Sequence, residues 1–528
     1  MLTLFCTFLR LFFSRKKTHL LLLLQNNYEL RGSGGFITQL VDVAIGGLQV
    51  KMVFRNDQEE LRPKAFIPAP KEIQQYLGHD HWFLRDTNIF GNFSTSAKHV
   101  IHNYQSLFPD HEVAGVFSLN FSAVEDLIGM LGAVKFQKKI LNQNNLFREI
   151  SGQVSNVDLH DKIQLQKRKN ILRPLAIKLL SSALFRFWKW PKLVRLFHAM
   201  LKRKDFQIYW DDASRRAFYL KKNIVESEFL PVDRDFLQVV ENNYLGLKSN
   251  RYIRRNIRRK VSLGYDPDSL QLHHGKVHTR ITWDHLGGDD YPFSGTYQAV
   301  VQVHLPLTAK ELVIHSPQHE TEISRDNVST IITLHHSIKV QESGVLEFSY
   351  DIGNEIVHDN SYSFQFIKQS GVRNEHVQQA VQFPQHFAVI SAGDGRVADE
   401  LVFENRTDVQ ENYSTVYSAQ LDLSPPRILL HEMVGPGIFE ITFHEPVWMN
   451  DDFAVLVESQ DGTREFPVTK VFKGKDHRRL LLHVSDIPDI EEKFYRITLT
   501  GIENAVHAVM HNRTITSVYR SRFFRKNL

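Results

Sequence analysis

The sequence predicts a multidomain α+β protein. Three observations support this prediction: the length, an N-terminal alternation of strand and helix patterns, and a later rhythm of short alternating strands. At 528 residues the chain is too long for one hydrophobic core. Its apolar fraction of 42% and charged fraction of 23% are those of ordinary globular proteins. We expect an N-terminal α/β sandwich, a β-rich middle region of one or two sandwiches, and a small C-terminal β-sandwich.

Residues 1–17 are apolar up to Phe13, with an interruption at Arg10, and end in the basic run Ser14–Lys17. About 20 unbroken apolar residues are needed to cross a bilayer, and this stretch is shorter. A signal peptide would carry its positive charge first. We interpret 1–17 as the remnant of an anchor or linker helix. An amphipathic or core helix is the alternative.

Residues 18–232 alternate between strand and helix patterns, which predicts a sheet with helices on both faces. Ser122-x-x-Glu125 reads as a capping box at the start of a helix. Asp161–Leu184 has helical periodicity and should bend at Pro174. The other predicted elements are the strand His19–Gln25, the hairpin strands Phe36–Ala44 and Leu48–Phe54, the helix Ser94–Leu107 opened by Ser94, and the strand Val113–Leu119.

From about residue 233 short alternating strands recur between turn residues, which is typical of antiparallel sandwiches. We expect a β-rich region over 233–423 and a further domain over 424–520, after the turn Ser424–Pro426. The clearest strand patterns are Thr279–Trp283, Ala299–His304, Leu346–Tyr350, Ser363–Ile367 and Phe387–Ser391, followed by the alternating Phe439, Ile441 and Phe443 and by Tyr495, Ile497 and Leu499.

Composition excludes some classes of protein. A single cysteine, Cys6, leaves no internal disulfide and no cysteine-based metal site. The net charge of +5 fits an anionic partner only weakly. The basic run Lys248–Lys260 could contact an anionic polymer, but no nucleic-acid-binding module accompanies it, so a solvated strand edge is the preferred interpretation and no nucleic acid is expected. The 26 histidines show no ligand spacing, and surface or core positions are their default interpretation.

Two arginines are the strongest candidates for an anion site. Arg31 precedes a Gly-Ser-Gly-Gly turn, and Arg85 is next to Asp86. The planar fork of a guanidinium matches the oxygens of phosphate. In both places a local ion pair is the structural alternative. Arg168 and Arg173 lie on the predicted long helix, where a solvated face competes with a ligand-binding role.

The chain resembles a bacterial family of unknown function, number 4012 in the domain-of-unknown-function series. The family pattern LLLxQNNxELRxxGGF corresponds to Leu22–Phe36, and W…RDxNxxxDFxxSA corresponds to Trp82–Ala97. The resemblance covers roughly Thr18 to Ser391. Weaker matches are found at Val113–Gly132, Lys248–Tyr252 and Phe366–Gly371, which reads FIKQSG.

That family is similar in layout to the LytR–CpsA–Psr phosphotransferases of bacterial envelopes. Their PRDT motif corresponds to Leu84–Thr87, their RSDT loop is matched only by Arg31, and their RQQ motif is matched only by Arg168 in Arg168–Asn170. The resemblance implies catalysis by Arg85 and Asp86, with Mg²⁺ at Asp86. It also implies that Arg31, Arg85 and Arg168, with Arg173 on the same helix, bind a polyprenyl-diphosphate-linked glycan or cell-wall polymer.

The block Pro425–Val518 resembles bacterial Ig-like domains, which serve as spacers. Three hypotheses follow. The first is an extracytoplasmic, membrane-associated envelope protein that binds an anionic lipid diphosphate or glycan and transfers a glycopolymer. The second is a non-catalytic surface scaffold or adhesion protein, and the third is a cytosolic anion-binding protein. An enzyme requires Arg31, Arg85 and Asp86 to converge on one deep cavity.

Overall fold

The structure is a computed structural model, and its fold can be described in three parts. It covers residues 2–519 except 56–65, 137–138, 156–171, 223, 226–229, 267, 289–290, 292, 317–319, 385–386, 393–395, 400–401, 422–425, 488–492, 504–508 and 511–512. We call residues 2–225 the N-terminal unit, strands β8–β22 the middle sandwich, and strands β23–β31 the C-terminal sandwich.

The N-terminal unit is built on a five-stranded mixed sheet in the order β3-β2-β1-β4-β7. The β1–β4 pair is parallel, and the other pairs are antiparallel. The strands are β1 (Thr18–Arg31), β2 (Gly34–Gly46), β3 (Gln49–Arg55), β4 (Val113–Asn120) and β7 (Phe206–Trp210), and a separate hairpin is formed by β5 (Val134–Phe136) and β6 (Lys139–Leu141).

Helices cover both faces of this sheet, as predicted. Helix α3 packs on the face that carries Leu21 and Leu23, and α1, α7 and α8 pack on the face that carries Leu20 and Phe117. The helices are α1 (Leu2–Phe13), α2 (Lys71–Leu77), α3 (Phe93–Leu107), α4 (Phe121–Leu131), α5 (Leu146–Ser155), α6 (Leu172–Phe185), α7 (Trp190–Lys202) and α8 (Ala213–Lys221).

Helix α1 lies on the sheet, as in the core-helix alternative for the first residues. Leu4 and Leu11 are buried against Ile45 and Trp210, whereas Phe5 and Phe13 face solvent. Among the described residues, the structure contains no helix long and apolar enough to cross a bilayer. Part of the predicted long helix, 161–171, lies outside the described residues. Pro174 falls in the first turn of α6, where proline is tolerated without a bend.

The predicted hairpin is present, but its turn lies one residue later than the predicted Gly46-Gly47, and two helix starts also differ from prediction. The β2–β3 hairpin turns at Gly47-Leu48, with φ of 61° at both residues. The cap of α3 is Asn92 and not Ser94, because the Asn92 side chain accepts from the Ser94 and Thr95 amides. At α4 the predicted capping box is absent: Glu125 turns away toward the middle sandwich.

The middle sandwich consists of a seven-stranded and an eight-stranded sheet around one core. Trp283 and Phe364 come from opposite sheets and are fully buried. The strands are β8 (Asp235–Asn243), β9 (Ile253–Asp266), β10 (Gln271–His285), β11 (Tyr297–Pro306), β12 (Lys310–Ile314), β13 (Thr321–Arg325), β14 (Ser329–Ile338), β15 (Ser343–Ile352), β16 (Val357–His358), β17 (Ser361–Ile367), β18 (Glu375–Gln382), β19 (Phe387–Ala392), β20 (Arg396–Asp399), β21 (Val402–Asp408) and β22 (Tyr413–Leu421).

The prediction that the basic run Lys248–Lys260 forms a solvated strand edge is wrong. Strand β9 lies between β10 and β18, inside the seven-stranded sheet. Arg255 and Arg259 point into the core, where Arg255 pairs with Glu241 and Glu375 and Arg259 pairs with Asp235. The alternation of strand side chains places every second basic residue inside, where buried acids neutralise it.

The C-terminal sandwich has two sheets in the described residues. Phe439 and Tyr495 come from different sheets and meet edge to face with ring centroids 5.6 Å apart. The strands are β23 (Ile428–Gly435), β24 (Ile438–Phe443), β25 (Trp448–Ser459), β26 (Glu465–Phe466), β27 (Val468–Lys473), β28 (Arg479–Val484), β29 (Lys493–Glu503), β30 (Val509–Met510) and β31 (Arg513–Tyr519).

Candidate functional site

The motif Phe366–Gly371 joins the N-terminal unit to the middle sandwich. Gln369 donates to the carbonyl oxygens of Arg31 and Glu241, at 3.1 Å and 2.9 Å. The Asn27 amide donates to the Gly371 carbonyl oxygen at 3.0 Å. These buried bonds hold the end of β1 against the middle sandwich.

A polar cavity of about 350 Å³ opens beside this junction, and we call it the junction cavity. Both units contribute to its wall: the end of β1 and the start of α4 on one side, and β8, the turn Ser249–Tyr252 and the loop after Gly371 on the other. Its charged and aromatic lining residues are Tyr28, Glu125, Asp126, Glu241, Arg251, Arg255 and Arg373.

Arg251 is the first cation of the junction cavity. Its side chain is 28% exposed, and Nη1 donates to Glu125 Oε1 at 3.2 Å. The guanidinium lies over the rings of Tyr28 and Phe147, at 4.7 Å and 4.4 Å from their centroids. Tyr28 also donates to Glu125. Burial raises the pKa of Glu125, although Tyr28 and Arg251 act in the opposite direction. Aromatic stacking and one carboxylate therefore orient Arg251.

Arg373 is the second cation. Its Nη2 donates to Asp126 at 2.9 Å and lies 3.2 Å from Asp205. Arg203 binds the same two carboxylates. Burial opposes the charge of Arg373, but Asp205 and Asp126 outweigh it and raise its pKa. Its buried Nε has no hydrogen-bond partner in the described part of the chain.

Arg255 forms the inner wall and is structural. Its guanidinium donates to Glu375 and to Glu241, both at 2.5 Å. Trp283 also donates to Glu241, at 2.7 Å. Glu241 and Glu375, the two acidic partners of Arg255, are therefore already hydrogen-bonded inside the sandwich. Arg251 and Arg373 are the two partly exposed guanidinium groups that a ligand in the cavity could reach.

The geometry suits an oxygen-rich ligand. Guanidinium groups donate to phosphate, carboxylate and sugar hydroxyl oxygens. Asn250, Gln143 and Asn374 add amide groups, and Asp126 can accept from hydroxyls. Tyr28 is the hydroxyl of the described lining, and it donates to Glu125. Because guanidinium and amide donors dominate the rest of the lining, binding is the function that these side chains support best.

The first predicted ligand residue, Arg31, is buried inside protein. Its Nη1 donates to the carbonyl oxygens of Asn243 and Leu30. The guanidinium lies between the rings of Phe36 and Tyr244, at 5.4 Å and 5.0 Å from their centroids. Backbone carbonyls and aromatic rings thus surround the group that the sequence assigns to a ligand.

Arg85 and Asp86 lie in the 3-10 turn Leu84–Asp86. Arg85 Nε donates to Asp86 Oδ2 at 3.4 Å. Burial raises the pKa of Asp86, while Arg31 and Arg85 oppose that rise. The Asp86 side chain is only 2% exposed. The structure therefore pairs Arg85 with Asp86 in surroundings that resemble a buried ion pair, and the charge of Arg31 acts on the same carboxylate.

These surroundings do not fit Mg²⁺. Magnesium takes octahedral oxygen ligands and retains several waters. Asp86 is nearly inaccessible and already binds Arg85, and the charge of Arg31 lies within electrostatic range of the same carboxylate. A second carboxylate, that of Glu29, lies 3.6 Å from the Arg31 guanidinium. The charges of Asp86 and Arg85 also affect the pKa of Glu29.

Arg173 does not extend this cluster. Arg168 lies outside the described residues. Arg173 is exposed at the start of α6, which packs on α4 and β5, whereas the turn with Arg85 packs on β2 and α3. Arg173 is therefore placed on another part of the N-terminal unit.

The residues of the junction cavity were missed as site residues. Arg251 belongs to the basic run Lys248–Lys260, and Arg373 follows the FIKQSG motif by two positions. The sequence pattern assigns Glu125 to a capping box. Arg251 also lies within the weak family match Lys248–Tyr252, but no local pattern relates it to Glu125, 126 residues earlier.

A histidine cluster on the sheet was also missed. Ligand atoms of His19, Asp42 and His111 lie within 4.8 Å of one another, an arrangement that could hold a metal ion. The two imidazoles stack at 3.8 Å. Asp42 already accepts from Tyr104 at 2.7 Å and from Arg55 at 3.0 Å. The positive charge of Arg55 on this carboxylate fits a hydrogen-bond network better than a metal site.

Fold and site together define a class: a strand-rich multidomain protein with a polar cavity between an α/β unit and a β-sandwich. Residues 16–154 match the model of a family described as protein of unknown function (DUF4012). That segment contains β1 and α4, which form one wall of the junction cavity. No curated protein matches the chain.

Similarity to solved structures is weak. The N-terminal part of the bacterial S-layer protein SbsC is 13% identical over 18% of this chain, with a TM-score of 0.17. The chain covers 24% of that structure. A candidate nutrient binding protein from Legionella pneumophila is 6% identical over 32% of this chain and 67% of its own, with a TM-score of 0.23. Neither likeness carries an inference about fold or function.

Proposed function

We propose that this protein binds an anionic glycan in the junction cavity, with Arg251 and Arg373 as the cations that hold the anionic group. The observation that carries the proposal is the presence of two partly exposed guanidinium groups in the lining of one cavity, both contributed by the middle-sandwich side. Phosphate and carboxylate are the groups that guanidinium forks recognise. The sugar hydroxyls would meet Asn250, Asn374 and Asp126.

The setting of this function is the bacterial cell envelope. The resemblance to envelope proteins supports an extracytoplasmic location, a LytR–CpsA–Psr-like fold for the N-terminal unit and an Ig-like spacer role for the C-terminal sandwich. A polyprenyl-diphosphate-linked glycan or a cell-wall polymer would supply both an anion and sugars. If the cavity binds neither, the non-catalytic scaffold or adhesion protein becomes the preferred function.

Calorimetric titration tests the proposal. The probes are N-acetylglucosamine 1-phosphate and, as the uncharged counterpart, N-acetylglucosamine. We expect the phosphorylated probe to bind more tightly, and Arg251→Gln to weaken it about tenfold or more, because a charged hydrogen bond contributes about 1.5–3 kcal/mol.

Arg258→Gln is the matched control. Arg258 is an exposed arginine on β9, the strand that follows Arg251, and the substitution removes the same charge outside the cavity. Equal loss in both variants, or equal affinity for the two sugars, would contradict the proposed site.

A glycopolymer phosphotransferase is the second candidate, because Arg31 and Arg85 both act electrostatically on Asp86. The acceptor hydroxyl oxygen would bond to the sugar-linked phosphorus, the bond to the leaving polyprenyl phosphate would break, and Asp86 would take the hydroxyl proton. Transfer from farnesyl-diphosphate-linked N-acetylglucosamine to purified peptidoglycan tests it. Activity should disappear in Asp86→Asn and persist in the exposed control Asp212→Asn; no transfer by the unmodified chain removes the candidate.

A further inference from the structure

The segment 162–204 contains 13 lysines and arginines and no aspartate or glutamate. In the whole chain the counts are 64 basic and 59 acidic residues, so the rest of the chain has an acidic excess. The positive net charge of the protein therefore comes from one segment. Such asymmetry indicates an anionic partner for that segment.

The described part of this segment exposes large apolar side chains. Phe185 is 79% exposed, Trp188 64% and Trp190 51%, all at the junction between α6 and α7. Ile177 on α6 is 52% exposed, and Val194 on α7 is 44% exposed. An exposed apolar group of this size on a folded surface marks an interaction site.

Four cations flank these apolar side chains. Arg173 and Lys178 are exposed on α6, and Lys192 and Arg195 are exposed on α7. None of the four forms an ion pair with another described residue. By contrast, Arg186 and Lys189 donate to carbonyl oxygens at the C-terminal end of α4 and fasten the junction.

The exposed residues belong to helices whose other faces are packed. Both helices contact α4. Leu175 and Leu179 of α6 are buried with Ile128, and Phe197 and Leu201 of α7 pack toward the sheet. The apolar and basic side chains that remain outside are thus held by a folded support. We call them the α6–α7 face, formed by Arg173, Ile177, Lys178, Phe185, Trp188, Trp190, Lys192, Val194 and Arg195.

We propose that the α6–α7 face docks the protein on an anionic phospholipid surface. Tryptophan rings favour the headgroup level of a bilayer, and neighbouring lysines and arginines are attracted by anionic headgroups. Phe185, Ile177 and Val194 would enter the acyl boundary. This proposal goes beyond glycan binding and does not depend on it.

A membrane fits these side chains better than a nucleic acid does. Single-stranded nucleic acid also uses basic and aromatic side chains, and bases stack on the aromatic rings. Exposed aliphatic side chains such as Ile177 and Val194 have no stacking partner in such a complex, whereas lipid tails accept them. A shallow groove lined by Arg173, Ile177 and Lys178 could hold a headgroup phosphate between two cations.

Vesicle flotation with the full chain tests this surface. The vesicles contain either phosphatidylcholine alone or phosphatidylcholine with 30% phosphatidylglycerol, a composition taken as about that of a moderately anionic membrane. We expect binding to the anionic vesicles, at least tenfold weaker binding to the neutral ones, and weakening by salt.

Two variants separate charge from apolar insertion. The double variant Lys192→Glu/Arg195→Glu should abolish flotation, and Phe185→Ser/Trp188→Ser should reduce it about tenfold while anionic preference remains. The control Arg258→Glu/Lys260→Glu makes the same change in charge on an exposed face of β9 and should bind as the unmodified chain does.

Four results would overturn the proposal: no flotation, equal binding to neutral vesicles, equal loss in the β9 control, or binding of single-stranded DNA in place of vesicles. Arg251→Gln should float normally. Failure of glycan binding with normal flotation would therefore reject the junction cavity alone, and the reverse result would reject the α6–α7 face alone.

Discussion

Gln369 donates a hydrogen bond to the carbonyl oxygen of Arg31, which lies 338 residues earlier in the chain. Through this bond and its second bond to the Glu241 carbonyl oxygen, one side chain ties the end of β1 to β8. Arg31 itself donates back to the Asn243 carbonyl oxygen. Two motifs that look independent in the sequence are therefore parts of one structural joint.

Gly371→Ala should destabilise this joint. Gly371 has a φ of +87°, and an added Cβ would lie 2.9 Å from atoms of Asn27, Gly34 and Leu30. Strain and overpacking together should lower the free energy of unfolding by about 3 kcal/mol, measured by urea denaturation. Gly78→Ala is the control, because φ is +67° there but nothing lies within 4 Å. An equal loss in both variants would show that packing at the joint is unimportant.

Arg31→Lys should lower stability although it keeps the charge. Lysine lacks the planar fork that reaches the Asn243 and Leu30 carbonyls, and it cannot stack in the same way between Phe36 and Tyr244. We expect a loss of about 2 kcal/mol in urea unfolding. The exposed control Arg258→Lys should change stability by no more than about 0.5 kcal/mol. Unchanged stability in Arg31→Lys would contradict the structural role of Arg31 and favour a ligand-binding role.

Glu125→Gln should strengthen anion binding in the junction cavity. The glutamine carbonyl still accepts from Tyr28, but the negative charge beside Arg251 is gone. At neutral pH we expect N-acetylglucosamine 1-phosphate to bind about threefold to tenfold more tightly, measured by calorimetry. Glu322→Gln, an exposed substitution on β13, is the control for net charge. Weaker binding in Glu125→Gln alone would mean that Glu125 is a ligand contact.

Acid should weaken the His19–Asp42–His111 cluster. Burial raises the pKa of Asp42, but bonds from His19, Tyr104 and Arg55 outweigh it, so the pKa falls in the folded protein. Burial and the nearby His19 lower the pKa of His111. Folding thus favours the carboxylate and the neutral imidazole. The His111 contribution is lost as the pH falls below about 6.5, and that of Asp42 is lost below about 3.9.

His111→Gln should therefore reduce the difference in urea unfolding between pH 7.5 and pH 5. The reduction is partial, because burial also lowers the pKa of His304 and His99. The exposed control His198→Gln should leave that difference unchanged. If His111→Gln leaves the pH dependence of unfolding unchanged, the His111 imidazole does not contribute to it.

Much of the fold could be predicted from local patterns. The β2–β3 hairpin depends on adjacent turn residues, and strands such as Thr279–Trp283 depend on alternation, so both could be predicted from short windows. The α4 capping box failed because Tyr28 and Arg251 bind Glu125 from far along the chain. A local sequence pattern predicts contacts between neighbouring residues, and it could not show that Tyr28 and Arg251 compete for the Glu125 carboxylate.

The candidate site was harder to predict for the same reason. The sequence predicts that Arg31, Arg85 and Asp86 converge, and the structure pairs Arg85 with Asp86. No motif shows that backbone carbonyls and rings already surround Arg31. The junction cavity requires the register between β1 and the middle sandwich, and His19 meets His111 only through the sheet. Burial and partners far along the chain decide which of these side chains can meet a ligand, and a short sequence motif shows neither.

Hydrogen exchange with and without N-acetylglucosamine 1-phosphate tests the central claim most directly, because it locates the bound probe. We predict that the probe slows exchange in peptides covering 249–252 and 372–374, and leaves 84–87 unchanged. Protection of 84–87 without protection at the junction cavity would contradict this account and favour the site built on Arg85 and Asp86.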